Sequence, residues 1–438
     1  MVDWSKLPDV GAVALLTCAF ASVARRSHSS SGRVWLIGWV MIAVHFASFM
    51  FIAVPGMPGT IAGIIGLASL TWAGVLFMWA CVPYRHEASS RWMLVVLLIT
   101  NTLYIALLSL VPNRSWMLVV AALLFAAAPM AVTLASLRSF FHTLRWTVVF
   151  LYLDLTIFLL AFQRRPGNGV ELALNAVLFA VFLGCGIHFW FSYRRATAGA
   201  FITIAGFFSW AAVFLVAPTL EALWPSLHLE NEVWNLPKYV TAVGMILLVL
   251  EDQIEHNKYL ALHDELTGLP NRRLFQDRLG GALERARRAG SHAALLLIDL
   301  DNFKQVNDTA GHHVGDLLLR QVSQMFHGRV RRSDTLARTG GDEFSLILED
   351  PITRADAELV GESLMQLLDQ PFDLGGHMVR AAASVGIAVF PEDATRGEDL
   401  CVIADRRMYA DKYATRPPSP GPTRADVESS DTSVIARA

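Results

Sequence analysis

The chain has 438 residues, of which 54% are hydrophobic and 17% are charged. A soluble protein carries about 25% charged residues, so this composition excludes a wholly soluble molecule. The net charge of −2 gives no basic field, and nucleic acid is therefore not predicted as a partner. Apolar residues dominate before about Leu250 and charged residues recur after it, which predicts one part in lipid and a second part in water.

Long apolar stretches fill the first part of the chain. A helix needs roughly 20 apolar residues to cross a bilayer, and on that criterion there are about nine candidate spans. Their centres are Leu16, Val44, Ser69, Thr100, Leu124, Thr156, Phe179, Phe208 and Met245. The first span has no basic segment before it and another follows at once, so we expect it to be retained rather than cleaved as a signal peptide.

Arginines in the short connections between spans predict an orientation. The clusters that fall on one side of the membrane are Arg25, Arg26 and Arg33, then Arg85 and Arg91, then Arg138 and Arg145, then Arg194 and Arg195. Such an excess of positive charge predicts that this side is cytoplasmic and that the amino terminus lies outside. Arg164 and Arg165 break the pattern. With an odd number of spans, the soluble part then follows in the cytoplasm, and membrane lipid surrounds the first part.

Three ionisable residues lie inside the apolar spans, namely His45, Asp154 and His188. Such groups are costly in hydrocarbon and usually face the interior of a helix bundle, so each is a candidate ligand or proton-relay group. A polar contact between helices with no signalling role is the favoured alternative. The acidic segment 218–237 is open to two interpretations, part of an external ligand site or, as we favour, an ordinary acidic loop.

Residues 250–262 are predicted to continue the last span as a polar helix. Leu250, Ile254 and Leu262 form an apolar seam on this helix, at a spacing that suits a short contact between helices of two chains. After Arg416, the proline-rich and then Ser- and Thr-rich sequence is typical of a disordered tail.

Helical and strand-like stretches alternate in the soluble part. The pattern predicts helices over 316–330, 355–368 and 399–413, and strands over 293–298 and 378–390. It also predicts a β-hairpin around Gly340 and Gly341, because paired glycines can supply the positive φ values of a tight turn. The run 293–298 is continuously apolar, which indicates a strand buried on both faces. These elements predict an α/β or α+β sandwich in which helices cover a sheet.

Two acidic clusters accompany these strands. Asp299 and Asp301 follow the buried strand, while Asp342 and Glu343 lie at the hairpin turn. Carboxylates brought together in this way suit Mg²⁺, which prefers oxygen ligands and completes its shell with phosphate and water. The chemistry that follows is metal-assisted phosphoryl or nucleotidyl transfer. Each cluster taken alone is more often a solvated turn.

The hairpin sequence Gly340-Gly341-Asp342-Glu343-Phe344 resembles the signature of the GGDEF family of diguanylate cyclases. Further segments that resemble this family, in the same order and at the expected spacing, are 264–273, 299–308, 311–316, 384–388 and 404–412. The resemblance covers residues 260–416. It implies an α/β (α+β) GGDEF domain whose sheet and flanking helices are similar to those of nucleotidyl cyclases and polymerase palms. Together with the apolar spans, the predicted fold class is a multi-span helical membrane domain followed by this GGDEF domain.

The resemblance implies roles for the matching residues. Asp299 and Asp342 would hold Mg²⁺, or Mn²⁺ in its place, with Leu300 adding its carbonyl and Glu343 assisting. Asp342 would also accept the proton of the attacking 3′-hydroxyl, so that Asp342 and Glu343 form the catalytic pair. The residues that would contact GTP are Phe303, Lys304, Asn307, His312, Asp316, Gly340, Gly341, Lys412 and Arg416.

Within that set the resemblance separates base recognition from phosphate contacts. Asn307 and Asp316 would read the guanine edge, and the phosphate contacts would come from Phe303, Lys304, Lys412 and Arg416. Thr415 replaces the family's habitual glycine, so a solvated helix end is the alternative for Lys412 and Arg416.

A second nucleotide site is implied upstream of the hairpin. Arg331 and Asp334 stand at the spacing of the family's RxxD site relative to Gly340. The resemblance implies that they bind the product, cyclic di-GMP, and inhibit the enzyme.

The implied reaction joins two GTP molecules into cyclic di-GMP with release of two pyrophosphates, and it requires a homodimer in which two such domains face each other. The predicted organisation is a polytopic, sensory membrane domain at 1–252, a signalling helix at 253–263, the GGDEF domain at 264–416 and a disordered tail at 417–438. The predicted location is the bacterial inner membrane, with the GGDEF domain in the cytoplasm. Rival interpretations are an inactive cyclic di-GMP receptor, a transporter with an accessory domain, and another nucleotidyl cyclase.

Overall fold

The computed structural model describes residues 1–26, 30–81, 88–111, 115–135, 153, 155–161, 169–193, 196–226, 231–349 and 352–414. Asp154, Arg416 and the tail 417–438, for which the sequence makes predictions, lie outside the described residues. The chain divides into two compact units, Met1–Glu255 and His256–Ala438.

The first unit is helical over the residues that the structure describes. Its helices are α1 (Leu7–Arg26), α2 (Ser30–Phe49), α3 (Met57–Ala80), α4 (Ala88–Leu110), α5 (Ser115–Ala135), α6 (Gly169–Ser192), α7 (Ala198–Leu223) and α8 (Asn231–Leu262). Within the described ranges, six helices are long and apolar enough to cross a membrane, and two shorter apolar stretches are Leu94–Leu110 and Trp116–Ala127. The six contain the predicted centres Leu16, Val44, Ser69, Phe179, Phe208 and Met245, whereas the span around Thr156 is only partly described.

Small residues allow α7 and α8 to approach closely. A Cβ added to Gly206 of α7 would overlap the main chain at Thr241, and one added to Gly244 of α8 would overlap the main chain at Thr203. This reciprocal Gly–Thr contact is the packing expected of apolar helices in lipid, where small residues bring backbones together. It fixes the position of the first half of α8 against α7.

The expectation of an ordinary loop over 218–237 is wrong for much of that segment. Helix α7 continues through Pro218 to Leu223, and α8 begins at Asn231 with Pro237 inside it. Proline has no N–H to donate to the carbonyl four residues before it, yet both helices continue through their prolines. The hydroxyl of Thr241 donates to the carbonyl of Pro237 at 2.7 Å.

The second unit contains one four-stranded sheet and flanking helices. Its elements are α9 (Arg272–Ala289), β1 (Ala293–Leu300), α10 (Phe303–Ala310), α11 (His312–Arg329), β2 (Thr335–Arg338), β3 (Glu343–Leu348), α12 (Arg354–Gln366), β4 (Phe372–Asp373), β5 (Met378–Val379), β6 (Ala383–Phe390) and α13 (Gly397–Ala414). The strand order is β2-β3-β1-β6, and each neighbouring pair is antiparallel. The predicted α+β sandwich is therefore confirmed.

Strand β1 lies in the middle of the sandwich because both of its faces are apolar. Leu295 packs in the layer formed with α9 and α13, while Leu296 packs in the layer formed with α11 and α12. Alternate side chains of a strand point to opposite faces of the sheet, so an uninterrupted apolar run is covered on both sides. This burial makes the end of β1 a rigid support for Asp299.

The predicted strand 378–390 is wrong as a single element. Met378–Val379 pairs with Phe372–Asp373 in a separate two-stranded hairpin, and the strand of the main sheet begins only at Ala383. The division falls there because Ala383 is the first residue that pairs with β1, opposite Leu300. The main chain of Asp301 then donates to the carbonyl of Ala382 at 2.8 Å and closes this end of the sheet.

Candidate active site

The two acidic clusters meet at one edge of the sheet. Asp299 and Glu343 are partners in the register of β1 and β3, and the backbone N–H of Leu300 donates to the carbonyl of Asp342 at 3.1 Å. The side chain of Asp299 is buried, whereas that of Asp342 is half-buried and that of Glu343 is exposed. Antiparallel pairing of β1 with β3 thus places three of the four carboxylates that the sequence singles out, Asp299, Asp342 and Glu343, at one place.

The turn between β2 and β3 differs from the predicted one. Neither Gly340 nor Gly341 has a positive φ, so the predicted left-handed glycine turn is wrong. The backbone N–H groups of Thr339 and Gly340 both donate to the carbonyl of Glu343, which closes a wider loop than a two-residue turn. An added Cβ at Gly340 would meet the side chain of Glu343, which would have to move to make room for it.

Arg338 connects this loop to the segment that precedes α9. Its guanidinium donates to Asp264 Oδ1 at 2.8 Å and to the carbonyl of Gly341 at 2.7 Å. Although partial burial acts in the opposite direction, the hydrogen bonds from Thr267 and Arg338 lower the pKa of Asp264. Bidentate arginine contacts are rigid, so Arg338 fixes the hairpin loop relative to Asp264. This role of Arg338 was not predicted from the sequence, although the residue lies only two positions before Gly340.

The carboxylates at this edge disturb one another's ionisation. Burial and then the charge of Asp299 raise the pKa of Asp342. Burial and then the charges of Asp299 and Asp342 raise the pKa of Glu343. Like charges held close together favour the protonated form of each group. The edge therefore carries excess negative charge that a cation can neutralise.

Lys412 of α13 supplies one cation to this edge. Its ammonium group pairs with Asp299 Oδ1. Partial burial works against the effect, but the hydrogen bond and charge of Asp299, with the charges of Asp301 and Asp342, raise the pKa of Lys412. The alternative of a solvated helix end is therefore wrong for Lys412.

The donor set at this edge fits a divalent metal ion. Asp299 and Asp342 offer carboxylate oxygens, which are hard ligands. Leu300 follows Asp299 in the chain, and its backbone N–H donates to the carbonyl of Asp342. Within the described residues, no cluster of three or more His, Cys, Asp or Glu side chains is already arranged around a common point. Mg²⁺ commonly binds through one or two carboxylates with phosphate and water completing the shell, so two aspartates suffice.

Helices α10 and α11 bring together the residues predicted to read a base. The amide oxygen of Asn307 lies so near Gly315 that an added Cβ there would overlap it, and the ring of Phe303 lies against the same glycine. Asp316 follows Gly315 directly, and both Asn307 and Asp316 are half-buried. Gly311, with φ of 90°, makes the sharp turn between the two helices. Lys304 and His312 are exposed on the same two helices.

A cavity of about 500 Å³ contains the predicted inhibitory residues. Arg331 and Asp334 line it, and Asp334 is held by the backbone N–H of Glu349 at 3.2 Å. Arg329 and Asp356 also line this cavity, and neither was found from the sequence. Asp356 lies on α12, whereas Arg331 lies in the loop after α11, so only the folded chain brings them together.

The raised carboxyl pKa values predict how Asp342 affects stability. A group with a raised folded-state pKa contributes stability that is fully present below its unfolded pKa and lost as the pH rises through its folded pKa. We therefore expect Asp342→Asn to raise the melting temperature of the metal-free protein at neutral pH. The difference from the wild type should shrink as the pH falls below the ordinary carboxyl range. Melting curves in a chelating buffer measure it, with Asp277→Asn, an exposed aspartate of α9, as the control that should change little.

Comparison with known proteins finds a family that matches most of the second unit. Residues 261–417 match the family described as diguanylate cyclase, GGDEF domain. The chain is 36% identical over 274 residues to the bifunctional diguanylate cyclase/cyclic di-GMP phosphodiesterase MucR of Pseudomonas aeruginosa, an alignment that covers 57% of this chain and 37% of that protein. It is 38% identical over 168 residues to the diguanylate cyclase TpbB of the same organism, covering 38% of this chain and 39% of that protein.

The chain is also similar in part to solved structures. The GGDEF domain of TpbB from Pseudomonas aeruginosa is 39% identical, with a TM-score of 0.35, and the match covers 35% of this chain and 90% of that one. The chain spans less than two fifths of the length of the curated relatives MucR and TpbB.

Proposed function

Since residues 261–417 form a GGDEF domain, we propose that this protein is a diguanylate cyclase that condenses two GTP molecules into cyclic di-GMP. The observation that supports this most is the meeting of Asp299, Asp342 and Glu343 at one edge of the sheet, with Lys412 beside them. An inactive receptor would not need this unbalanced set of carboxylates. Their mutual repulsion costs stability, which is understandable where they bind a metal and accept a proton.

Asp342 is the group that accepts the proton of the attacking 3′-hydroxyl. Its pKa is raised by burial and by the charge of Asp299, which brings its basicity closer to that needed at neutral pH. Glu343 lies next to it and shares its excess charge. Lys412 neutralises negative charge that builds on the phosphates as pyrophosphate leaves.

Asp299 and Asp342, with the carbonyl of Leu300, would hold Mg²⁺, and Mn²⁺ could replace it. When bound, the ion withdraws electron density from the phosphates and stabilises the charge that develops in transfer. Asn307 and Asp316 would bind the guanine edge, because a carboxylate accepts hydrogen bonds from the N–H groups that guanine offers and adenine lacks. The remaining contacts with GTP would come from Phe303, Lys304, His312, Gly340, Gly341 and Arg416.

A homodimer follows from the chemistry. One domain binds one GTP, so cyclisation requires two domains whose nucleotides face each other, and each 3′-hydroxyl attacks the other α-phosphorus. Positioning two bound nucleotides makes the reaction effectively unimolecular. The second half of α8 is suited to control this arrangement, since Ile254, Tyr259 and Leu260 are exposed apolar side chains on it.

The membrane part is proposed to be an inner-membrane sensory domain of a bacterium, with the GGDEF domain in the cytoplasm. The six long apolar helices support membrane insertion, and the arginine-rich connections support this orientation. The proposed domain boundaries are 1–252, 253–263, 264–416 and a tail at 417–438.

The activity can be tested directly with the purified full-length protein. Incubation with GTP and Mg²⁺ should yield cyclic di-GMP and two pyrophosphates for each product molecule, as measured by chromatography and a pyrophosphate assay. ATP should not be a substrate. Binding of cyclic di-GMP without any turnover of GTP would identify a receptor instead and would contradict the proposal.

Product feedback is proposed for the cavity lined by Arg331 and Asp334. Arg331→Ala removes a cation suited to a phosphate of cyclic di-GMP, so we expect at least about a tenfold weaker inhibition by product. Initial rates at very low product concentration should remain near those of the wild type. Progress curves with added cyclic di-GMP measure both quantities.

The neighbouring residue provides a matched control for this prediction. Arg332→Ala removes the same charge from an exposed position that does not line the cavity, and inhibition should be retained. Equal loss of inhibition in both variants would show that general charge, rather than this cavity, is responsible.

A further inference from the structure

The membrane half contains a polar cavity of about 350 Å³ that the cyclase chemistry does not use. Its lining residues come from the start of α1, the end of α2, the start of α6, the end of α7 and the start of α8. These five helix ends lie together at one end of the bundle, the end at which α8 begins. In the proposed orientation this end faces the outside of the cell.

Hydrogen bonds connect a cation of the cavity lining to two buried residues. Lys238 donates to Asn235 Oδ1 at 2.6 Å, and Asn235 in turn donates to Asp9 Oδ1 at 3.1 Å. Asp9 and Asn235 are buried, so their bond fixes the start of α8 against α1. Lys6 also lines the cavity.

Lys238 keeps hydrogen-bonding capacity that its neighbours do not use. An ammonium group has three donors, and here one is given to Asn235 while the ring of Phe46 lies 4.8 Å from the nitrogen. Asp9, the carboxylate that accepts from Asn235, does not form an ion pair with Lys238 among the described residues. A ligand anion could therefore take a donor of Lys238 without displacing a salt bridge.

Two carboxylates also line the cavity, from other helices. Glu171 at the start of α6 and Glu221 at the end of α7 line it from exposed positions. Neither makes a hydrogen bond or an ion pair with another residue in the described parts of the chain. The cavity thus brings Lys238 of α8 together with carboxylates of α6 and α7, and the aromatic residues Phe46, Phe49, Phe214 and Trp234 also line it.

We propose that this cavity binds a small zwitterion, a molecule with an ammonium group and a carboxylate or phosphate on one short skeleton. The anion would lie on Lys238 and the ammonium group between Glu171 and Glu221. Charged groups are costly near lipid unless they are paired, and one zwitterion could pair with Lys238 and with the two glutamates at once. A free amino acid and the phosphoethanolamine headgroup of a lipid share this chemistry.

Binding at this site would act on the helix that leads to the cyclase. The ligand would draw the start of α6 and the end of α7 towards the start of α8. Gly206 of α7 and Thr241 of α8 pack without space between them, so a movement of α7 would also move α8. The binding itself needs only the membrane half, whereas its effect on output rests on the proposed function. Binding and cyclase output are therefore measured separately.

The test uses the full-length protein, purified in detergent, and measures thermal stabilisation and equilibrium binding. The probes are the common L-amino acids and phosphoethanolamine, which separate the two sources. For L-phenylalanine, the analogues 2-phenylethylamine and 3-phenylpropanoate remove one charge each. We expect at least one zwitterion to stabilise the protein and its single-charge analogues to lose the effect, because stabilisation follows differential binding to the folded state.

Variants then locate the site. Lys238→Gln, and the double change Glu171→Gln with Glu221→Gln, should each weaken binding roughly 30-fold or more, while Lys258→Gln on an exposed part of α8 should leave it unchanged. The glutamate variant changes only exposed side chains, so it keeps the test valid if Lys238→Gln fails to fold. Stabilisation by no probe, equal stabilisation by a single-charge analogue, or binding unaffected by the glutamate variant would each overturn the proposal. Loss of cyclase activity with retained binding would instead count against the proposed function alone.

Discussion

Replacing Asp342 with asparagine should lower the rate of cyclic di-GMP synthesis at least about a thousandfold. The change removes the proposed proton acceptor and one of two carboxylates that would hold the metal, while an amide of the same shape keeps the loop intact. The backbone contact between Leu300 and Asp342 does not involve the side chain and should persist. Initial rates with GTP and Mg²⁺, together with GTP binding measured separately, distinguish lost chemistry from lost substrate.

A matched aspartate tests whether the effect belongs to this site. Asp277→Asn removes a carboxylate from the exposed side of α9, and its rate should stay within about twofold of the wild type. If Asp342→Asn retained more than a tenth of the wild-type rate, the assignment of the carboxylate edge as the active site would fail.

Mixing the wild type with the inactive variant tests the two-domain requirement. In the proposed mechanism each domain holds one GTP and both attacks are needed, so only dimers with two intact copies should turn over. If subunits exchange freely, an equal mixture should retain about one quarter of the activity, following the square of the wild-type fraction. Activity that falls in direct proportion to that fraction would indicate that single domains work alone.

The sequence predicts the local parts of this site well. Ala293–Leu300 is a strand with both faces covered because its side chains are apolar without interruption, and that property depends on no distant residue. The hairpin of β2 and β3 is likewise local, since its two strands are neighbours in the chain. Short-range patterns fix such elements, and so the positions of Asp299 and Asp342 could be predicted.

Features that depend on distant residues could not be predicted in the same way. Arg338 and Asp264 are 74 residues apart, and the pair of Lys412 with Asp299 spans 113 residues. The division of the segment 378–390 also depends on a distant strand, because β6 starts where pairing with β1 starts. The cavity of the membrane half is of this kind too, since it combines five helix ends.

The glycine turn illustrates a different limit. Paired glycines can be required for positive φ or for space, and the letters alone do not distinguish these causes. At Gly340 an added Cβ would meet the side chain of Glu343, whereas the residues of this loop avoid the left-handed region. A correct hairpin prediction therefore rested on a wrong reason.

Gly386 connects the packing of the sheet to the position of Lys412. It lies in β6 opposite Leu297, and helix α13 crosses it so closely that an added Cβ would overlap the carbonyl oxygen of Ala404 and the backbone nitrogen of Met408. One residue earlier, the backbone N–H of Val385 donates to Asp411 Oδ2 at 2.9 Å. The close crossing thus fixes the part of α13 from which Lys412 reaches Asp299.

Gly386→Ala should therefore destabilise the protein by about 3 kcal/mol or more and also reduce cyclase activity. The new methyl group meets main-chain atoms, which cannot rotate away as a side chain can, so α13 must move and carry Lys412 from Asp299. Gly361→Ala is the matched control, because its Cβ would lie in ordinary contact, 3.4 Å from Ile387, and alanine favours the helix. Denaturation curves and initial rates should show loss in the first variant and little change or a gain in the second. If the two alanine variants behaved alike, close packing of α13 on β6 would not be what positions Lys412.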